Sequence, residues 1–163
     1  MKKFNFYLAL SLFATAPSFA AIDFNDQKVL LAMGQALYEQ KGSSSCLFCH
    51  GVAGVNGKVK TAAALSDPTK WKSYKAIKNI SGKDDERLKE AVIHLILNGS
   101  IGHRKNSFAK DWFDWSIAGN FDGQMQGLRG ASSSSWLKKQ KSKGVTKEIA
   151  AKAVFEYIKT LQK

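Results

Sequence analysis

Residues 41–54 read KGSSSCLFCHGVAG. They hold the only two cysteines of the 163-residue chain, Cys46 and Cys49, and His50 follows the second directly. What becomes of those two thiols decides what the rest of the chain must fold around. The length suits one domain. With 44% hydrophobic and 11% aromatic residues, the chain has material for a packed core. A disordered polyelectrolyte is therefore excluded, despite a formal charge of +12.

The first twenty residues are expected to stand outside the fold. Lys2 and Lys3 precede an apolar run, Phe4 to Ala16, and Pro17-Ser18-Phe19-Ala20 offers small residues for cleavage. This pattern reads as a secretory signal peptide, residues 1–20, cut after Ala20. The apolar run is too short to span a bilayer comfortably as an uncleaved anchor. No cysteine sits at the cleavage point to take a lipid. Residues 21–163 are then a single mature domain, expected in the periplasm, where free thiols normally pair as disulfides.

Hydrophobic spacing predicts three main helices. Asn25–Gln40 carries Val29, Leu30, Met33, Leu37 and Tyr38 at steps of three and four, with Asn25 as cap and Gly42 as stop. Asp84–Asn98 opens on Asp84, Asp85 and Glu86, aligns Leu88, Ala91, Val92, Leu95 and Ile96, and is expected to end at Asn98-Gly99. Thr146–Leu161 carries Ile149, Ala153, Val154, Tyr157, Ile158 and Leu161. A shorter helix is expected from Asp67-Pro68 through Trp71 and Tyr74. No segment alternates with period two, so the fold class is all-α. Long loops at 43–66 and 99–145 exceed ordinary connections and need something to order them. The second holds Phe108, Trp112, Phe113, Trp115, Phe121 and the serine run Ser132–Ser135.

Cys-x-x-Cys-His is the attachment pattern for c-type haem. Two thiols one helical turn apart can add across the two vinyl groups on one porphyrin edge. The next residue, His50, is then held where its Nε2 can bind iron. Attachment would consume both thiols, and the porphyrin would offer the aromatic loop a surface. Three other readings compete. A structural zinc site needs about four ligands, and His94 and His103 are the only further histidines. A redox dithiol needs a βαβ setting. A disulfide between Cys46 and Cys49 would close a very small loop.

With these residues in view, the mature chain resembles a class I (monohaem) cytochrome c. Gly34 and Tyr38, four apart before the haem motif, are similar to the family's Gly/aromatic pair. Val154 and Tyr157 correspond to positions in the last helix that cross it. Cys46-Leu47-Phe48-Cys49-His50-Gly51 is the third match. The resemblance implies a cytochrome c-like fold: three main helices and short helices wrapped around one covalently bound haem c. Cys46 and Cys49 become thioether anchors and His50 the proximal iron ligand. The distal ligand implied is Met125, in the loop before the last helix, with His103 as runner-up. Met33 lies on an apolar stripe and reads as core, and His94 reads as a solvated surface histidine. Trp71 or Trp112 would either donate to a haem propionate or pack in the core. The family's proline after the haem motif has no counterpart between His50 and Pro68, and Gln126 stands where proline usually follows the methionine.

With both axial positions filled, the implied function is a periplasmic electron carrier rather than a catalyst. The alternatives are an electron-transfer haem subunit of an oxidoreductase complex, acting for example on a sulfur compound or an alcohol, and a ligand-binding or peroxidatic haem protein with an open iron. Lys70, Lys72, Lys75 and Lys78, and then Lys138, Lys139, Lys141, Lys143 and Lys147, form basic clusters. Such clusters suit a redox partner protein with an acidic docking surface. An anionic membrane surface is a third class of contact, and nucleic acid is not expected for an exported chain.

Overall fold

The computed structural model describes residues 22–40, 45–60, 62–82, 85–105, 109, 111–114, 125, 127–128, 138 and 141–162, with the backbone alone at 101–105. The leader at 1–20, Gly42, Asp84, Phe108, Trp115, Phe121, Ser132–Ser135 and Lys139 lie outside the described residues. Those described are mostly helical and include no strand; an isolated antiparallel bridge joins Ile77 to Phe113.

Helix α1, Gln27–Tyr38, starts on Asp26, whose carboxylate accepts the Lys28 N–H. The expected cap Asn25 stands one residue earlier. Leu30, Met33, Gly34, Leu37 and Tyr38 form its buried stripe, so Met33 is core. Helix α2 is the short Cys46–His50, capped by Ser45, whose side chain accepts from Phe48 N–H. The helix expected from Asp67-Pro68 is two pieces. A 3-10 turn, Pro68–Lys70, is capped by Asp67, and α3 spans Lys72–Ala76. Trp71 sits between them in extended conformation (φ −73°, ψ 141°) because its side chain is pulled into the core, 5% exposed.

Helix α4, Glu86–Lys105, is two helical stretches that meet at a kink: the first ends at Asn98-Gly99 as expected, Gly99 (φ 70°, ψ 176°) being non-helical, and a second stretch follows where a loop was expected. Helix α5, Lys147–Thr160, is capped by Thr146, which accepts from Ile149 N–H. It is buried nearly all round, as its run Ala150, Ala151, Ala153, Val154, Phe155, Glu156 and Ile158 shows. The stripe read from the sequence omitted Phe155 and Glu156.

The core lies where α5 packs between α1 and α4. Gly34 makes the α1–α5 contact close. A Cβ there would stand 2.0 Å from the Ala153 carbonyl oxygen and 2.8 Å from Tyr157 Cβ. One turn on, the Tyr38 and Tyr157 rings meet at 5.3 Å, tilted by 56°. The Tyr157 hydroxyl donates to Glu39 at 2.9 Å. Burial and that carboxylate push its pKa up to about 12. Glu156 is 6% exposed and accepts from Gln27 Nε2 at 3.0 Å and Lys159 Nζ at 2.8 Å. A buried carboxylate needs such partners.

Protein groups order much of what the two long loops left unexplained. The Lys58 N–H donates to the Phe48 carbonyl at 2.8 Å, and the Leu65 N–H to the Gly54 carbonyl at 2.7 Å. The described part of the second loop docks beside α3. Lys78 N–H donates to Trp112 O at 2.9 Å and Asp114 N–H to Ala76 O at 2.7 Å, and Phe113 is only 2% exposed. Phe113 therefore finds its burial against protein.

Candidate cofactor site

The donor groups converge on α2 and the loop behind it. Cys46 and Cys49 stand three positions apart on one helical turn, the spacing that shares a helix face. They are not joined as a disulfide. Both are half-buried, and burial pushes the Cys46 thiol up to about 11, so it stays protonated at neutral pH. His50 closes the helix, and Gly51, at φ 81°, turns the chain away.

His50 is half-buried, and its Nδ1 lies 2.8 Å from the Ala63 carbonyl. A carbonyl only accepts, so Nδ1 carries the proton and donates it. The neutral ring is then left with a lone pair on Nε2, the arrangement of a metal-ligating histidine. Burial lowers the His50 pKa, and the Ala63 carbonyl partly opposes the shift.

The Ala63 carbonyl is itself held in place. Trp71 Nε1–H donates to the adjacent Ala64 carbonyl at 2.7 Å. The Leu65 N–H, one residue on, is tied to Gly54. Trp71 thus grips the backbone of the loop next to Ala63. The lone indole N–H of Trp71 is engaged there, so a donor role toward a propionate does not fit this residue. From the other side, the Tyr38 hydroxyl donates to the Gly51 carbonyl at 2.7 Å. Burial raises the Tyr38 pKa. Gly51 is thereby fastened to α1 one residue after His50.

Met125 is half-buried and packs against the core. Its backbone is bonded to Ser100 beyond the kink of α4: Ser100 N–H to Met125 O at 3.0 Å, and Met125 N–H to Ser100 Oγ at 3.1 Å. The loop that carries Met125 is, at this residue, anchored. His103 does not lie in a loop; its backbone belongs to the second part of α4, and its side chain lies outside the described residues. His94, expected to be solvated, is half-buried. Among the described residues, no group of three or more His, Cys, Asp or Glu could hold a metal ion. A zinc site of four such side chains around Cys46 and Cys49 therefore finds no support.

The donor set fits a c-type haem in its chemistry: two thiols one turn apart, neither in a disulfide, an imidazole whose Nδ1 is engaged by a carbonyl, and a thioether elsewhere in the chain on an anchored backbone. Sequence reading missed Ala63, Trp71 and Ser100 as supports. A backbone carbonyl carries no sequence signal, and a serine inside a helix is ordinary. Compared with protein-family models, with curated proteins and with solved structures, the chain finds no match.

Proposed function

We propose that this chain is an exported, monohaem c-type electron carrier, built on the plan of the class I cytochromes c that its motifs resemble. The observation that carries the reading is the His50 Nδ1–H bond to the Ala63 carbonyl, directly after two unpaired thiols on the same helix turn. Cys46 and Cys49 would each add sulfur and hydrogen across one vinyl group, a step that balances without an oxidant. His50 Nε2 is the proximal ligand, and Met125 is the distal ligand of choice. Haem c supplies a one-electron couple when bound, and Met/His ligation raises its potential relative to other pairings.

Partner contact has local support beside α2. Phe48, Val52 and Val59 are exposed apolar residues, and the bond from Lys58 N–H to Phe48 O brings the Val59 segment back to the helix. Lys58 and Lys60 are exposed in the same segment, and Lys70, Lys72, Lys75 and Lys78 are exposed along and after α3. A small apolar surface with basic surroundings suits a brief encounter with an acidic redox protein. No helix among the described residues is long and apolar enough to cross a membrane.

Intact mass of the purified protein, with and without iodoacetamide under denaturing conditions, tests attachment. A mass one haem above the polypeptide, with neither cysteine alkylated, is expected; two alkylations would refute thioether attachment. The ferric absorption spectrum tests the distal ligand. A sulfur-to-iron charge-transfer band that vanishes in Met125→Ala is expected, and its absence from the wild type removes Met125 from the role.

A further inference from the structure

Helix α4 is two helical stretches joined at the non-helical Gly99. With Gly99 at φ 70° and ψ 176°, the helix cannot carry the bond that Ser100 N–H would donate to the Ile96 carbonyl. A break inside a buried helix leaves a donor and an acceptor that must find partners. Both find them in one short segment far along the chain. Ser100 N–H donates to Met125 O at 3.0 Å, and Leu128 N–H donates to Ile96 O at 3.0 Å. The Met125 N–H adds a bond to Ser100 Oγ at 3.1 Å. Gly127 lies against the break: a Cβ there would stand 2.1 Å from Gly99 N and 2.2 Å from Asn98 C. Met125, Gly127 and Leu128 thus fill the gap of α4.

From this we propose that Ser100, at the kink, is the positioning residue for Met125 and sets how well its thioether competes for the iron. The inference rests on the reading of Met125 as distal ligand. Ser100 grips both polar groups of the Met125 backbone, N–H and C=O, and is itself only 3% exposed. Two bonds from one buried residue fix the direction in which the side chain leaves the backbone. A thioether is a soft, neutral ligand, so its hold against a competing donor depends on being placed in advance. Without the hydroxyl, the segment keeps the outer bonds to Ser100 N–H and Ile96 O and can pivot between them.

The test uses the full-length ferric holoprotein and imidazole as the competing ligand, titrated spectroscopically. Ser100→Ala and Ser100→Val are expected to bind imidazole about tenfold more tightly, the effect of losing one buried hydrogen bond. Ser100→Thr keeps the hydroxyl, has the shape of the valine variant, and is expected to stay near the wild type. A purely structural role for Ser100 would lower the denaturation midpoint and leave imidazole affinity alone. Amide hydrogen exchange supplies a readout that needs no variant: the Met125 and Leu128 amides of the wild type are expected to be protected. Equal imidazole affinity in Ser100→Val and Ser100→Thr overturns the proposal while the ligand assignment stands, as does an unprotected Met125 amide. A wild type lacking the sulfur-to-iron band overturns both together.

Discussion

Gly34→Ala places one methyl group where α1 and α5 touch. Its Cβ would stand 2.0 Å from the Ala153 carbonyl oxygen, 2.7 Å from the carbonyl carbon and 2.8 Å from Tyr157 Cβ. Real Cβ contacts essentially never fall below 3.0 Å, so the helices must separate by about 1 Å. The obstacles are backbone atoms and a Cβ, which no rotamer change can move aside. A gap of 0.5–1 Å forfeits roughly a quarter to a half of each dispersion contact along the seam. That seam includes Leu30, Met33, Leu37 and Tyr38 on α1 and Val154, Phe155 and Ile158 on α5. Alanine regains about 1 kcal/mol of helix propensity over glycine. Overpacking of this kind typically costs about 1–3 kcal/mol, occasionally more. With so little room to yield, we expect a net loss of about 3 kcal/mol, near the upper end. At a urea slope of about 2 kcal/mol/M the midpoint falls by roughly 1.5 M. Equilibrium urea unfolding followed by far-UV circular dichroism measures it. Ala36→Gly, at an exposed position of the same helix, calibrates propensity alone at about 1 kcal/mol. A Gly34→Ala midpoint equal to or above the wild type, with unchanged slope, would refute the close-contact argument.

Tyr38→Phe leaves the Gly51 carbonyl without its 2.7 Å hydroxyl donor. A loss of about 1–2 kcal/mol is expected, read as a lowered urea midpoint; no change would show that water replaces the hydroxyl. Trp71→Phe keeps most of the apolar bulk but removes the donor to Ala64. Faster amide exchange at Leu65 is expected, and protection equal to the wild type would show that the loop needs no such support. Stability should also fall in acid. The Arg87 guanidinium, then Ser81, hold the buried Asp85 carboxyl well below the usual carboxylate range. Burial works against ionisation of Glu156, but Lys159 and Gln27 outweigh it and its pKa is lowered as well. Depressed carboxylate pKa values contribute stability above the unfolded value, about 4, and lose it as pH falls through the folded values. Unfolding at pH 6 and pH 3 should therefore show a drop that Asp85→Asn reduces; an undiminished drop would place the acid sensitivity elsewhere.

How far the sequence carries the fold depends on the range of the physics at each point. Helices α1 and α5 declare themselves because their apolar stripes are local; the cap Thr146 was legible too, whereas that of α1 is Asp26 and not the expected Asn25. Gly34, Tyr38 and Tyr157 were legible through resemblance, and the chain brings them together. The continuation of α4 beyond Gly99 was not legible. Glycine after asparagine is an ordinary stop signal and does end the first stretch; the second stretch is tied in by hydrogen bonds involving Met125 and Leu128, which lie far along the chain. Trp71 was read into a helix because Asp67-Pro68 starts one. The indole's reach for Ala64 pulls that residue extended. At the site, the grouping of Cys46, Cys49 and His50 is legible because all three fall within one short helix. The partner of the imidazole is not, since any backbone can offer a carbonyl and only the folded loop selects Ala63.

The contact between the first and last helices also dictates an order of events. Tyr157 bonds to Glu39 across 118 residues, and Glu156 to Gln27 across 129. Pairings this distant in sequence close late, after the entropy of a long loop has been overcome. Until α5 docks, the buried stripe of α1 lacks its main partner.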